Sequence, residues 1–452
     1  MIKDTRSFAL ILAFLASFLT PFVGSSINIA LPQISQELSI NAIIMGWIPT
    51  AYLLVLAVLL IPVGRFSDIH GRKKIFWMGI IIFTISSFLA GFSTSGEMLL
   101  FFRIIQGIGS AMIFANVNAM VASVFPVMER GRALGIAVTG AYLGLFLGPV
   151  LGGILTESLG WRSIFFFNVP LGVITTYAAS KLKEEWRPAK GENFDIIGTF
   201  ILGISMVLVI LGLTQLPQMN GAFILSAGLI SGLIYYFYQN KIETPVFDLR
   251  IFKNRTFGFN SLATLISYTA SYPLIFLLSL YLQYALKLNP ATAGIVLAVQ
   301  PLFITIFSSY AGRLSDRKDP YKLAMLGMTI VTITTFVLAF INSHIWEILI
   351  LLSLMGIGFA LFGTPNNNIV FSSVKKKYFG VAGASLSTMR VVGQLMGMAF
   401  SLLLLNIFIG GTFIGPENIS LFILCTQISL VLFSIMCFFG ILATWRGREQ
   451  SI

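Results

Sequence analysis

The sequence predicts an all-α polytopic membrane protein with 14 transmembrane helices. Three observations carry that prediction. Of its 452 residues, 57% are hydrophobic and 10% charged, with a mean hydropathy of +0.91; a soluble chain carries about 25% charged residues. The apolar residues come in runs of roughly 20, the length that crosses a bilayer as a helix. The basic residues gather in short polar segments between alternate runs, as the positive-inside rule requires. The net charge of +12 is therefore an orientation signal rather than a nucleic-acid footprint. The expected partner is a lipid bilayer, with no nucleic acid.

Taken in order, the apolar runs fall at about 8–31, 46–64, 75–94, 98–121, 133–155, 162–181, 195–214, 221–238, 258–284, 292–311, 322–341, 346–370, 381–408 and 419–442. The first follows Lys3 and Arg6. It is too long for a signal-peptide core and has no clear small-residue cleavage site, so it reads as a retained span. An even count puts both termini on one side. With the N-terminus inside, every lysine and arginine falls in or beside a cytoplasmic segment except Arg103, Arg162, Lys287 and Arg390. That bias places both termini in the cytoplasm and the chain in the cell membrane. The longest polar loops, about 182–194 and 239–257, are too short to fold alone. Cys425 and Cys437 share the last run and have no disulfide or metal spacing. No nucleotide loop and no nucleophile–base set is present. The chain reads as no enzyme, with no cofactor and no metal.

A repeat organises the spans. Gly64–Lys74 reads GRFSDIHGRKK and Gly312–Lys318 reads GRLSDRK, an offset of 312 − 64 = 248 residues. Eight spans fit in that offset. The simplest architecture is two six-helix bundles with two inserted helices: residues 1–181, a linker region 182–257 carrying spans 7 and 8, and residues 258–452. Such repeats are common in secondary transporters, which bind substrate near the midplane. Asp68 is an acceptor at a helix end among Arg65, Arg72, Lys73 and Lys74. It either pairs locally or caps a neighbouring helix N-terminus. Gly64, Asp68, Gly71, Arg72, Arg130 and the repeat's Asp316 form one candidate conformational gate. Gly140–Gly153, GAYLGLFLGPVLGG, supplies the other. Gly140, Gly144, Gly148 and Gly152 make a bare stripe on a helix, and in lipid such stripes let backbones approach closely. Pro149 removes a backbone donor and bends the helix. Simple packing and a moving contact both fit that spacing.

These stretches resemble the major facilitator superfamily, in its 14-helix drug:proton antiporter branch. GRFSDIHGRKK resembles the loop 2–3 signature, Leu99–Ala111 (LLFFRIIQGIGSA) the span-4 signature and Gly140–Gly153 the span-5 antiporter signature. Asn28, Ala30, Leu31 and Pro32 resemble the end of the span-1 signature. Trp161-Arg162, Phe165 and Asn168-Val169-Pro170 resemble the start of span 6. The resemblance covers nearly the whole chain. It implies the major facilitator fold, a monomer, alternating access, and drug export driven by proton entry. It also implies that Gly140–Gly153 is the contact on which the two halves rock. Relatives carry an acid nine positions before the span-1 proline, whereas this chain has Val23 there.

None of the 17 acids is expected at the centre of a span, and neither is His70 or His344. An intramembrane ionisable group is a functional candidate by default. Arg103, about five residues into span 4, either binds or tunes, or snorkels to the interface. Arg390, read near the inner end of span 13, is an orientation anchor or a functional charge. By resemblance, spans 1, 4, 9 and 12 surround the cavity, which selects Asn28, Arg103, Gln106, Asn116 and Asn366 as substrate or coupling candidates. Each amide has the alternative of bridging helices. The leading function is export of lipophilic or amphipathic drugs by proton antiport. The alternatives are transport of an endogenous metabolite or lipid with atypical or no proton coupling, and a non-transporting membrane scaffold.

Overall fold

Lipid offers no hydrogen bonds, so an apolar run that crosses it must satisfy its backbone internally, as a helix. The computed structural model describes residues 2–125, 127–182, 184–242, 245–340, 344–375 and 379–448, with side chains from Phe8 onward except at 122, 127 and 128. Lys183, Glu243, Lys376, Lys377 and Glu449 lie outside the described residues, as do the side chains of Lys3, Asp4 and Arg6.

Fourteen helices are long and apolar enough to cross a membrane. They are α1 (Ile2–Glu37), α2 (Ala42–His70), α3 (Arg72–Ala90), α4 (Gly96–Val124), α5 (Val127–Leu159), α6 (Arg162–Ser180) and α7 (Ile196–Gln215). The others are α8 (Met219–Gln239), α9 (Arg255–Leu280), α10 (Pro290–Ser315), α11 (Pro320–Leu338), α12 (Ile345–Ser372), α13 (Phe379–Phe408) and α14 (Ile419–Arg448). Among the described residues there is no strand.

Several helices overrun their apolar limits, because a helix ends where its capping chemistry lies rather than where hydropathy falls. The Asn41 side chain accepts from Ile44 N at 2.9 Å and starts α2 ahead of its apolar run. Ser95 and Asp195 cap α4 and α7 in the same way. At the α2–α3 junction Gly71 has φ +126°, a conformation that favours glycine.

The chain forms two compact units. The first is Met1–Phe247 with Asn289–Gly294, and the second is Asp248–Leu288 with Ile295–Ile452. The first unit packs α1, α3, α4, α5 and α6 around Phe22, Phe76, Phe83, Ile113 and Ala179. Its inserted pair, α7 and α8, is held by Ser205 Oγ donating to Gly228 O (2.9 Å) and Ser231 Oγ to Ile201 O (3.1 Å). In the second unit Phe257, Val370, Ala382 and Leu386 form a small core among α9, α12 and α13.

The repeat extends into the internal packing of each unit. A Cβ at Gly79 would stand 2.5 Å from Met112 Cβ, joining α3 to α4, and one at Gly327 would stand 2.5 Å from Gly358 O, joining α11 to α12. Gly107 approaches Tyr52 O of α2, and Gly356 approaches Gln300 O of α10. Gly79 and Gly327 are 327 − 79 = 248 residues apart, the offset of the repeated loop. Two bundles built by one plan, with α7 and α8 inserted, make up the fold.

Candidate functional site

Arg103 begins seven residues into α4, about 10 Å from the helix start at 1.5 Å per residue. It does not snorkel: the whole residue is buried, at 0% exposure. Its Nε donates to Ile48 O at 3.2 Å, its Nη1 donates to Gln106 Oε1, and its guanidinium lies 4.3 Å over the Tyr52 ring. Gln106 Nε2 in turn donates to Ser87 Oγ at 2.7 Å. One guanidinium thus ties α2, α3 and α4 together. Its planar donors and cationic face are matched to a carbonyl, an amide and an aromatic ring. Sealed in this way, Arg103 clasps α2, α3 and α4 together.

The remaining amide candidates do not converge on it. Asn28 Nδ2 donates to Gly24 O (3.1 Å) and Asn116 Nδ2 to Met112 O (2.9 Å), each within its own helix. Asn366, in the second unit, bridges α12 to α9 by donating to Asn260 O (3.2 Å) and Thr264 Oγ1 (2.8 Å). All three are buried. The structure brings together Arg103 and Gln106 alone among the five.

At the α2–α3 loop Asp68 pairs locally, accepting from Arg72 Nε at 2.6 Å. The helix-capping role falls to a residue that sequence reasoning missed. Glu185, in the segment after α6, accepts from Lys73 N (2.9 Å) and Lys74 N (3.2 Å) at the start of α3. That carboxylate meets the positive end of the helix dipole. Gly71 makes room for it, since a Cβ there would lie 2.7 Å from Glu185 Cδ. Trp186 O accepts from Arg72 N, Asp68 O accepts from Ala189 N, and Arg65 pairs with Glu192. The whole segment straps the loop. Arg130 Nε closes the next junction on Phe125 O at 2.9 Å. Asp316 lies at the end of α10, where its N donates to Gly312 O at 3.2 Å.

The glycine stripe has its packing partner within its own unit. Gly140, Gly144, Gly148 and Gly152 face α1 of the same unit, against Phe14, Phe18, Phe22, Ser25 and Ser26. Four glycines spaced by four present one face, and that face is consumed by α1. Pro149 and Gly153, in the same stretch, lie on the side of α5 that meets Pro290–Gly294, a segment grouped with the first unit. There Glu157 accepts from Asn289 Nδ2 and Ala291 N, both at 3.1 Å.

In the second unit Arg390 lies 11 residues into α13. Its Nη2 donates to Asn367 Oδ1 of α12 at 2.9 Å, and its Cζ lies 5.9 Å from the Tyr268 ring centroid of α9. The sequence signal was the charge itself.

Comparison with known proteins follows this geometry. The Major Facilitator Superfamily family model matches residues 13–260 and 261–451. Riboflavin transporter RibZ of Clostridioides difficile is 30% identical over 453 residues, covering 98% of each chain. Cephamycin export protein CmcT of Amycolatopsis lactamdurans is 28% identical, covering 92% of this chain and 88% of its own. A methylenomycin A resistance protein of Bacillus subtilis is 27% identical, covering 83% and 82%. A bacterial homologue of the lysosomal transporter Spinster, in an inward-facing crystal structure, shares the fold with a TM-score of 0.70 at 17% identity, covering 99% of each chain. The chain belongs to the Major Facilitator Superfamily and is a multi-pass membrane transporter.

Proposed function

We propose that the chain moves a neutral or acidic aromatic organic solute, of about the size of riboflavin, across the cell membrane by alternating access, with both termini cytoplasmic. One observation carries the reading. Among the described residues, every acidic side chain in a span lies within two residues of a span end. Ionisable groups at bilayer depth are costly and mark substrate or ion pathways. A cation at that depth would be met by a carboxylate, and these spans carry amides and arginine there instead. Full-length similarity to a riboflavin transporter supports a heteroaromatic solute with carbonyl edges. The clustering of basic residues between alternate spans supports the orientation.

The test is uptake by proteoliposomes of riboflavin against ethidium, with and without an imposed pH gradient. Saturable riboflavin movement that exceeds ethidium movement is the expected result. Ethidium carried as fast as riboflavin overturns the solute class. A second reading, export of amphipathic drugs by proton antiport, is favoured by relatives named for cephamycin export and methylenomycin A resistance. Drug efflux that survives a proton uncoupler removes that reading.

A further inference from the structure

The spans hold two arginines, and they differ in a way that assigns them different work. Arg103 is sealed, whereas Arg390 is partly exposed. The 30 residues of α13 are about 45 Å long, and Arg390 lies about 16 Å from one end and about 27 Å from the other. The helix outruns a hydrocarbon core of about 30 Å. With the excess shared equally between the two ends, the Arg390 backbone sits about 9 Å inside that core. A guanidinium open to lipid at such depth is strongly disfavoured, so the accessible part of Arg390 faces an aqueous path.

The guanidinium also has donors to spare. It carries five N–H groups. Nη2 uses one on Asn367 Oδ1, and Nε is buried with no hydrogen-bond partner. Buried polar groups of this kind are normally paired. Gly393, three residues along α13, fixes the geometry: a Cβ there would stand 3.1 Å from Tyr268 Cβ. This close approach of α13 to α9 holds the Tyr268 ring beside the guanidinium. Asn367 Oδ1 is occupied by Arg390, which leaves its Nδ2 as a further donor. The cluster offers donors and an aromatic face, and among the described residues no carboxylate pairs with Arg390.

We propose that Arg390, Tyr268 and Asn367 form a solute-binding point that takes the carbonyl or carboxylate edge of an aromatic solute. Guanidinium N–H groups grip such acceptors in pairs, and the Tyr268 ring contacts the aromatic body. This inference rests on the proposed transport of an aromatic organic solute and names the residues that hold it.

The experiment has two arms. In the first, Arg390→Cys in membranes is treated with a charged, water-borne methanethiosulfonate reagent, with wild type reporting Cys425 and Cys437, which are buried. Labelling above wild type, slowed by riboflavin or by nalidixate as an aromatic carboxylate probe, is expected. No labelling overturns the proposal. In the second arm, binding of both probes to purified protein in nanodiscs is measured for wild type, Arg390→Lys and Arg390→Gln. The Gln variant should bind the preferred probe about 10- to 100-fold more weakly, with the Lys variant between. Wild type that binds neither probe also overturns it. Unchanged affinity in Arg390→Gln, in a protein that still transports riboflavin, overturns the site and leaves the transport reading intact. Arg390-dependent binding of nalidixate without riboflavin transport supports the site and removes riboflavin as the solute.

Discussion

Replacing Gly144 by alanine tests the α1–α5 seam directly. The added Cβ would stand 2.5 Å from the Phe18 carbonyl oxygen and 3.1 Å from Phe22 N, where ordinary contact begins at 3.4 Å. The obstacle is backbone, so no side chain can swing aside. The helices must part locally by about 3.4 − 2.5 = 0.9 Å, and a gap of 0.5–1 Å forfeits roughly a quarter to a half of each dispersion contact along the seam. Phe18, Phe22, Leu143 and Leu147 line that seam. Overpacking of this kind costs about 1–3 kcal/mol. At about 2–4 °C per kcal/mol for a unit of this size, the melting temperature should fall by about 2–12 °C. The assay is size-exclusion chromatography of detergent-solubilised protein after stepped heating. Gly131→Ala and Gly135→Ala, on the same helix with nothing within 4 Å of the new Cβ, serve as controls. They should be neutral or stabilising by up to about 1 kcal/mol. A Gly144→Ala protein that melts with the Gly135→Ala control would refute the argument.

Arg103→Lys should lower the melting temperature in the same assay. A point-charge ammonium cannot replace the planar fork, and an unsatisfied Ile48 carbonyl or Gln106 amide costs about 1–3 kcal/mol; an unchanged melting point removes the clasp. Glu185→Gln should weaken the α3 cap by about 0.5–2 kcal/mol, read as faster tryptic cleavage after Lys190, while an equal cleavage rate counts against the strap. Asp68→Asn breaks a partly exposed pair worth about 0–1 kcal/mol. Surface expression should therefore hold while transport drops, and transport equal to wild type at matched expression argues against a gating role.

The local-packing readings from sequence met different fates for identifiable reasons. A stripe such as Gly140–Gly152 announces a close helix contact, but the partner helix is chosen by long-range packing. Here α1, 119 residues away between Ser25 and Gly144, supplied it. Asp68 was legible as an acceptor beside cations, and Arg72 at i+4 took it, while Arg65 went to Glu192. Glu185 was invisible as a cap because nothing in a polar loop announces which helix terminus it reaches. Asn28 and Asn116 are cavity candidates by resemblance, and each donates its Nδ2 to a carbonyl of its own helix. The choice between lining and bracing depends on which face of a nearly uniform apolar helix turns inward.

By itself, the sequence determined the spans, the repeat offset and the absence of carboxylates from the span interiors. These follow from local quantities: apolar length against bilayer thickness, motif identity and residue type. Only the tertiary structure decided that Arg103 is sealed and Arg390 is not. Both are single arginines in apolar runs, and a guanidinium's role depends on what surrounds it. Around Arg103, α2 supplies a carbonyl and a ring and α4 an amide that Ser87 of α3 holds, and the residue is closed off; around Arg390, α12 supplies one amide and α9 one ring, and part of the residue is left open.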